Sequence, residues 1–206
     1  MKRVKEIRIM GGCMKSMPGW KVTWPDLERI EPMVLQGNIT HHAEFNVQQD
    51  PQSAEIVLSS GLPIALFPMN CTHQLTFTEE RQTQLFNMLS ANPAIAQIVS
   101  QLIDAPKAMD NAKFNIDSVM HDISTTISMI APNLYEGRQG SVSVNTNDLT
   151  DEFGQTTFTP DEHGSIWVAE TITDPKVAFN IALQSFQTAL AHHTPAAPKL
   201  PAPNFK

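Results

Sequence analysis

Apolar positions along the chain fall into short runs whose spacing changes between a two-residue and a 3.6-residue period. Val4 to Met10 alternates aliphatic with charged residues and stops at Gly11-Gly12, the pattern of a strand running into a tight loop. Pro63 to Met69 is continuously apolar, as expected of a strand buried on both faces of a sheet. Gly140 to Asn145 and Ser165 to Ile172 alternate again as strands, with a turn-rich segment between them.

Helical spacing fills the intervals. Asp50-Pro51 supplies N-cap and first-turn residues for a helix through Ala54, Ile56, Val57 and Leu58 that stops at Gly61. Thr78 with Glu79 and Glu80 opens a second helix, with Leu85, Phe86 and Leu89 on one face. Ala94 to Ile103 is a third, carried by Ile95, Ile98, Val99 and Leu102. Asp117 to Ala131 sets the pair His121-Asp122 at the mouth of an apolar helix with Ile123, Ile127 and Ile130, closed by Pro132. Asp174-Pro175 repeats the capping signature and starts a helix with Val177, Ile181, Leu183, Phe186 and Leu190 mostly on one side. Strands alternating with helices predict an α/β fold with a mixed, mostly parallel sheet flanked by helices.

Two stretches break this order. Residues 13–36 hold Pro18, Pro25, Pro32, Trp20 and Trp24, and read as an inserted surface excursion with a helical turn near Asp26 to Arg29. Residues 194–206 carry four prolines and read as a disordered tail, which leaves residues 1–193 as one domain. The methionines Met88, Met109, Met120 and Met129 are expected to fill core space.

Composition narrows the class. A chain of 206 residues with 41% hydrophobic and 17% charged residues describes an ordinary globular protein. Its net charge of -7 argues against a nucleic-acid surface. The basic cluster Lys2, Arg3, Lys5 and Arg8 reads as the solvated flank of the first strand. Cys13 and Cys71 match no zinc spacing and are expected to be reduced. Neither a signal-like apolar run nor a membrane-length one is found, so no membrane partner and a cytoplasmic location are expected.

The chemistry concentrates in Gln36 to Asn46, where Asn38, Glu44 and Asn46 set an amide, a carboxylate and a second amide within nine residues, with an apparently buried Phe45 between the last two. Such a segment can grip a polyhydroxyl ligand, a ribose above all. Without its neighbours the same segment reads as a polar loop capping Asp50-Pro51. Asp122 likewise reads either as a functional carboxylate or as the N-cap of the Ile123 helix. Trp20 and Trp24 could stack on a base but read first as loop packing. His41-His42 and His192-His193 have no partner at metal-ligand spacing.

In order, the motifs Ile9-Met10-Gly11-Gly12, Gly37-Asn38-Ile39-Thr40, Ala43-Glu44-Phe45-Asn46 with Asp50-Pro51, Ser60-Gly61-Leu62-Pro63-Ile64, Asn70-Cys71-Thr72-His73-Gln74 and His121-Asp122 span about residues 4 to 190. Their succession resembles the inosine/uridine-preferring nucleoside hydrolases, which cleave the N-glycosidic bond of ribonucleosides with a calcium ion held by aspartates. The resemblance implies a Rossmann-like fold whose N-terminal strands have no counterpart here. It implies that Met10, Asn38, Glu44 and Asn46 bind the ribose, that Asp122 is a calcium ligand, and that His121 stands near the leaving base as its proton donor. Negative or dipolar oxygens suit the oxocarbenium-like state of such a reaction, and an imidazole titrating near neutrality suits protonation of the base. The family's aspartate-rich loop is not matched, so the calcium site is expected to be incomplete, and Asn70-Cys71 departs from the family's usual residues. Two classes therefore stay open. One is a hydrolase completed by a homo-oligomer or a complementary N-terminal chain. The other is a truncated, non-catalytic remnant that binds ribose or nucleoside.

Overall fold

The structure is a computed structural model that describes residues 4–14, 37–114 and 117–192. The expected excursion with Trp20, Trp24 and its helical turn, the basic residues Lys2 and Arg3, and the proline-rich tail lie outside the described residues.

Among the described residues the strands form one five-stranded sheet in the order β1 (Ile7–Met10), β2 (Ile64–Phe67), β5 (Ile166–Ile172), β3 (Tyr135–Val144) and β4 (Thr156–Pro160). The first three run parallel, and β3 lies antiparallel to both β5 and β4, so the sheet is mixed with β3 as its one reversed strand. β4 sits in the stretch that reads as turn-rich, because Thr156 to Pro160 alternates over only five residues. β2 is an interior strand and buried throughout, as its continuous apolar run requires.

Helices cover both faces. α1 (Phe45–Gln49) and α2 (Pro51–Leu58) lie on one side, where Val47 and Leu58 pack with Leu66, Val142, Phe158 and Val168. On the other, α3 (Met69–Thr72), α6 (Ile123–Ile130) and α7 (Pro175–His192) enclose Phe67, Ile127, Tyr135 and Phe179. α4 (Glu79–Met88) and α5 (Pro93–Phe114) build an outer layer around Leu85, Leu89 and Ile103. The predicted caps are in place: Asp50 accepts from Ser53 N–H, Thr78 from Arg81 N–H and Asp174 from Val177 N–H.

Three expectations about faces fail. α5 runs well beyond Ile103, and it buries that residue, with Ile95 and Val99 packed beside it, while Ile98 and Leu102 are 57% and 69% exposed. The stripe is therefore set by i, i+4 steps, and the two exposed residues fall on its flank. Ile130 and Met129 on α6 are also exposed, so Met129 is not core filler. The side chain of Met109 lies outside the described residues. Phe45 is half exposed, and Glu44 is the buried residue of that motif.

Phe67 has no exposed surface and meets Tyr135 and Trp167 edge to face, with centroids 5.3 and 5.9 Å away. Phe67→Ala is expected to lower the free energy of unfolding by about 3–5 kcal/mol, the usual result of emptying an aromatic core position. Leu149→Ala, at a residue 90% exposed, should stay within about 0.5 kcal/mol of the parent. Urea denaturation of both variants checks the contrast.

Candidate functional site

The loop leaving β1 is the centre of the site. Gly12 adopts a left-handed φ of 83°, which turns the chain so that its carbonyl accepts from Met69 N–H at 2.9 Å. Beyond it, Cys13 N–H donates to the Thr156 hydroxyl. The side chain of Asn70 then pairs with Met14 like a neighbouring strand, accepting from its N–H and donating to its carbonyl at 2.9 and 3.0 Å.

Glu44 ties this loop to α1. Although only 1% exposed, its carboxylate accepts from Gly12 N–H and Asn46 N–H at 2.9 Å each and from Val47 N–H at 3.2 Å. It is thus the N-cap of α1, not of the Asp50-Pro51 helix. Burial raises its pKa, the three amide hydrogen bonds oppose that rise, and the charge of Asp122 adds to it. The last effect places Asp122 within electrostatic reach of Glu44. A carboxylate offers about four acceptor sites, so little capacity is left for a ligand hydroxyl.

Around this clasp stand the other expected residues. The Asn38 carbonyl oxygen accepts from Phe45 N–H at 2.7 Å. The loop that carries it closes through Gly37 N–H to His41 O, and a Cβ at Gly37 would lie 2.1 Å from Ala43 O. Exposed Asn46 donates to the Met10 carbonyl at 3.3 Å and meets its sulfur at 3.2 Å. Met10, Asn38, Glu44 and Asn46 therefore form one hydrogen-bonded group at the C-terminal end of β1. Met10 and Asn46 also border an apolar cavity of about 300 Å³ beside Ile9, Val57 and Leu66.

The remaining pair, His121 and Asp122, arrives on the segment before α6. That segment is fastened by Phe77 N–H to Ser118 O and Met120 N–H to Leu75 O, at 2.7 and 2.8 Å. Asp122 is exposed, stands at the N-cap position of α6, and makes no side-chain capping bond, which removes the capping reading of this residue. His121 is largely enclosed. Its Nδ1 lies 2.7 Å from the Thr72 hydroxyl and its ring centroid 5.3 Å from that of His73. Burial lowers its pKa to about 4, so the expectation of an imidazole titrating near neutrality does not hold. Behind it, Met120 and Ile123 line an apolar cavity of about 380 Å³ with Phe77, Phe179 and Phe186.

Thr72 and His73 both meet His121, and sequence reasoning assigned neither a role; their only signal was membership of the run Asn70 to Gln74. His41 and His42 meet each other edge to face, with centroids 4.9 Å apart. Among the described residues no group of three His, Cys, Asp or Glu side chains could hold a metal ion. Calcium takes about 6–8 oxygen ligands, so Asp122 with Glu44 nearby does not make a calcium site from these residues. Nor is any described helix long and apolar enough to cross a membrane.

Residues 1–188 match the model of the family described as inosine-uridine preferring nucleoside hydrolase. Among curated relatives, an uncharacterized protein of Schizosaccharomyces pombe is 35% identical over 116 residues, covering 55% of this chain and 36% of that protein. The pyrimidine-specific ribonucleoside hydrolase RihA of Shewanella baltica is 34% identical over 132 residues, covering 61% and 41%. The fold matches a purine-preferring ribonucleoside hydrolase from Gardnerella vaginalis with a TM-score of 0.66 at 18% identity, over 90% of this chain and 52% of that one. It also matches a plant nucleoside hydrolase with a TM-score of 0.61 at 23% identity, over 75% and 50%. The aligned parts thus span 36–41% of these curated relatives and about half of the solved structures.

The electrostatics of His121 set a pH dependence. Unfolded, the imidazole takes up its proton through 6.5; folded, it does so only near 4. Its contribution to stability is complete above the first value and is lost as pH falls toward the second. At about 1.4 kcal/mol per pKa unit, the loss is on the order of 3 kcal/mol. Buried His73, whose pKa is also lowered, acts in the same direction. Urea midpoints measured across this window should fall in the parent, and fall less steeply in His121→Asn.

Proposed function

Because the chain belongs to the inosine-uridine preferring nucleoside hydrolase family, we propose that its site takes a ribonucleoside and serves hydrolysis of the N-glycosidic bond to ribose and free base. The observation that carries this reading is the hydrogen-bonded group of Met10, Asn38, Glu44 and Asn46, with Asp122 in electrostatic reach of its buried carboxylate. A site at the C-terminal end of a parallel strand is also where α/β sheets accept ligands.

In this reading Asn46 and Asn38 contact ribose hydroxyls from an edge that Glu44 holds in place. The negative charge of Asp122 stabilises the positive charge that develops on the sugar as the bond to the base breaks. His121 faces the departing base as a neutral imidazole that donates a hydrogen bond, since burial keeps it uncharged at neutral pH. A bound calcium would supply an activated water and hold sugar hydroxyls. The described residues do not fit such an ion by themselves, and Asp122 is proposed as one ligand among others from outside them.

A second reading is favoured by that incomplete ligand set: the chain binds ribose or nucleoside without cleaving it, or acts after joining a complementary N-terminal chain or further copies of itself. Among the described residues β1 pairs on one side alone, and an edge strand is a ready surface for such a partner. The two buried cysteines, which form no disulfide among the described residues, suit a reducing compartment, the cytoplasm.

Release of base from inosine and uridine by the full chain with calcium is the decisive assay. Activity is expected to fall by about 100-fold or more in Asn46→Ala and His121→Ala, as for other polar groups acting on a developing charge. Binding of inosine without hydrolysis would favour the second reading. Neither binding nor hydrolysis would overturn both.

A further inference from the structure

Thr72 has no exposed surface, and a buried hydroxyl has to place its proton on an acceptor. Its oxygen lies 2.7 Å from His121 Nδ1, and its side chain makes no other hydrogen bond among the described residues. A nitrogen that accepts from a hydroxyl carries no proton of its own, so the proton of the imidazole belongs on the other nitrogen. We propose that Thr72 is a positioning residue that holds His121 as the Nε2–H tautomer, with Nδ1 occupied and Nε2–H as its remaining donor. The opposite arrangement, Nδ1–H donating to the threonine oxygen, would leave the threonine proton buried without an acceptor.

The surroundings keep the pair in register. Thr72 ends α3, and three residues later Leu75 accepts from Met120 N–H, immediately before His121. Phe77 N–H to Ser118 O and the bridge between Thr76 and Val119 close the same short ladder. On another side, the His73 ring lies against the imidazole at 5.3 Å and 55°. The His121 backbone and the Thr72 hydroxyl therefore belong to one clamped unit, and a bond of 2.7 Å between them follows from the fold rather than from two independently moving side chains.

The consequence rests on the nucleoside-hydrolysis reading: a donor at Nε2 serves the departing base, whereas a bare Nε2 could only accept a proton. The tautomer itself is independent of that reading and can be measured without substrate. In the full chain labelled with ¹⁵N-histidine, long-range proton–nitrogen spectra at neutral pH distinguish protonated from bare ring nitrogens. The His121 signals are identified by their loss in His121→Asn. A protonated Nε2 and a bare Nδ1 are expected in the parent and in Thr72→Ser, with movement toward a mixture in Thr72→Val. A proton on Nδ1 in the parent, or a Thr72→Val spectrum identical to it, overturns the proposal. The parent spectrum decides even if Thr72→Val does not fold. In the hydrolysis assay, Thr72→Val should lower kcat about tenfold or more with little change in KM, and Thr72→Ser should restore it. Absence of hydrolysis in every variant overturns the functional reading, while the nitrogen spectrum alone decides the tautomer.

Discussion

Three backbone N–H groups converge on one buried carboxylate, and the geometry of the site depends on it. Glu44 joins the turn after β1 to the first turn of α1, which brings Asn46 over Met10 and aims the Asn38 loop at Phe45. A buried carboxylate is tolerated only with such compensation, since desolvation of the charge is costly and the amides offset it. The balance is fine enough that burial still raises the pKa. Glu44 therefore shapes the surface beside it more than it forms that surface, and Asn46, exposed and adjacent, is the more accessible of the two.

Much of the framework was legible because local signals and tertiary packing agree. Asp50, Thr78 and Asp174 each cap the helix their sequence announces, and the apolar run at Pro63 to Met69 becomes a buried interior strand. Misreadings arose where packing decided the outcome. Ile98 and Leu102 fit a helical stripe as well as Ile103 does, yet which flank faces inward depends on where α4 and α7 lie. Phe45 and Glu44 exchange their expected places because the amides around Gly12 can satisfy a carboxylate there, while the aromatic ring stands at the surface. β4 escaped notice because its partner β3 supplies the register that five residues cannot announce alone.

The site was legible as a list of residues and not as an arrangement. The motif order named Met10, Asn38, Glu44, Asn46, His121 and Asp122, of which the first four form one hydrogen-bonded group, but no spacing in the chain says that His121 is enclosed or that Thr72 meets it. Contacts separated by 49 positions carry no local trace. The same holds for the pKa of His121, which burial in the folded chain lowers.

The pairing of Asn70 with Met14 limits what position 70 can hold. Its oxygen and its nitrogen satisfy both backbone groups of Met14, the part a neighbouring strand would play, across 56 positions of sequence. A carboxylate offers no donor and an apolar side chain offers neither group. The backbone order beside the pocket thus hangs on one asparagine amide standing in for a strand.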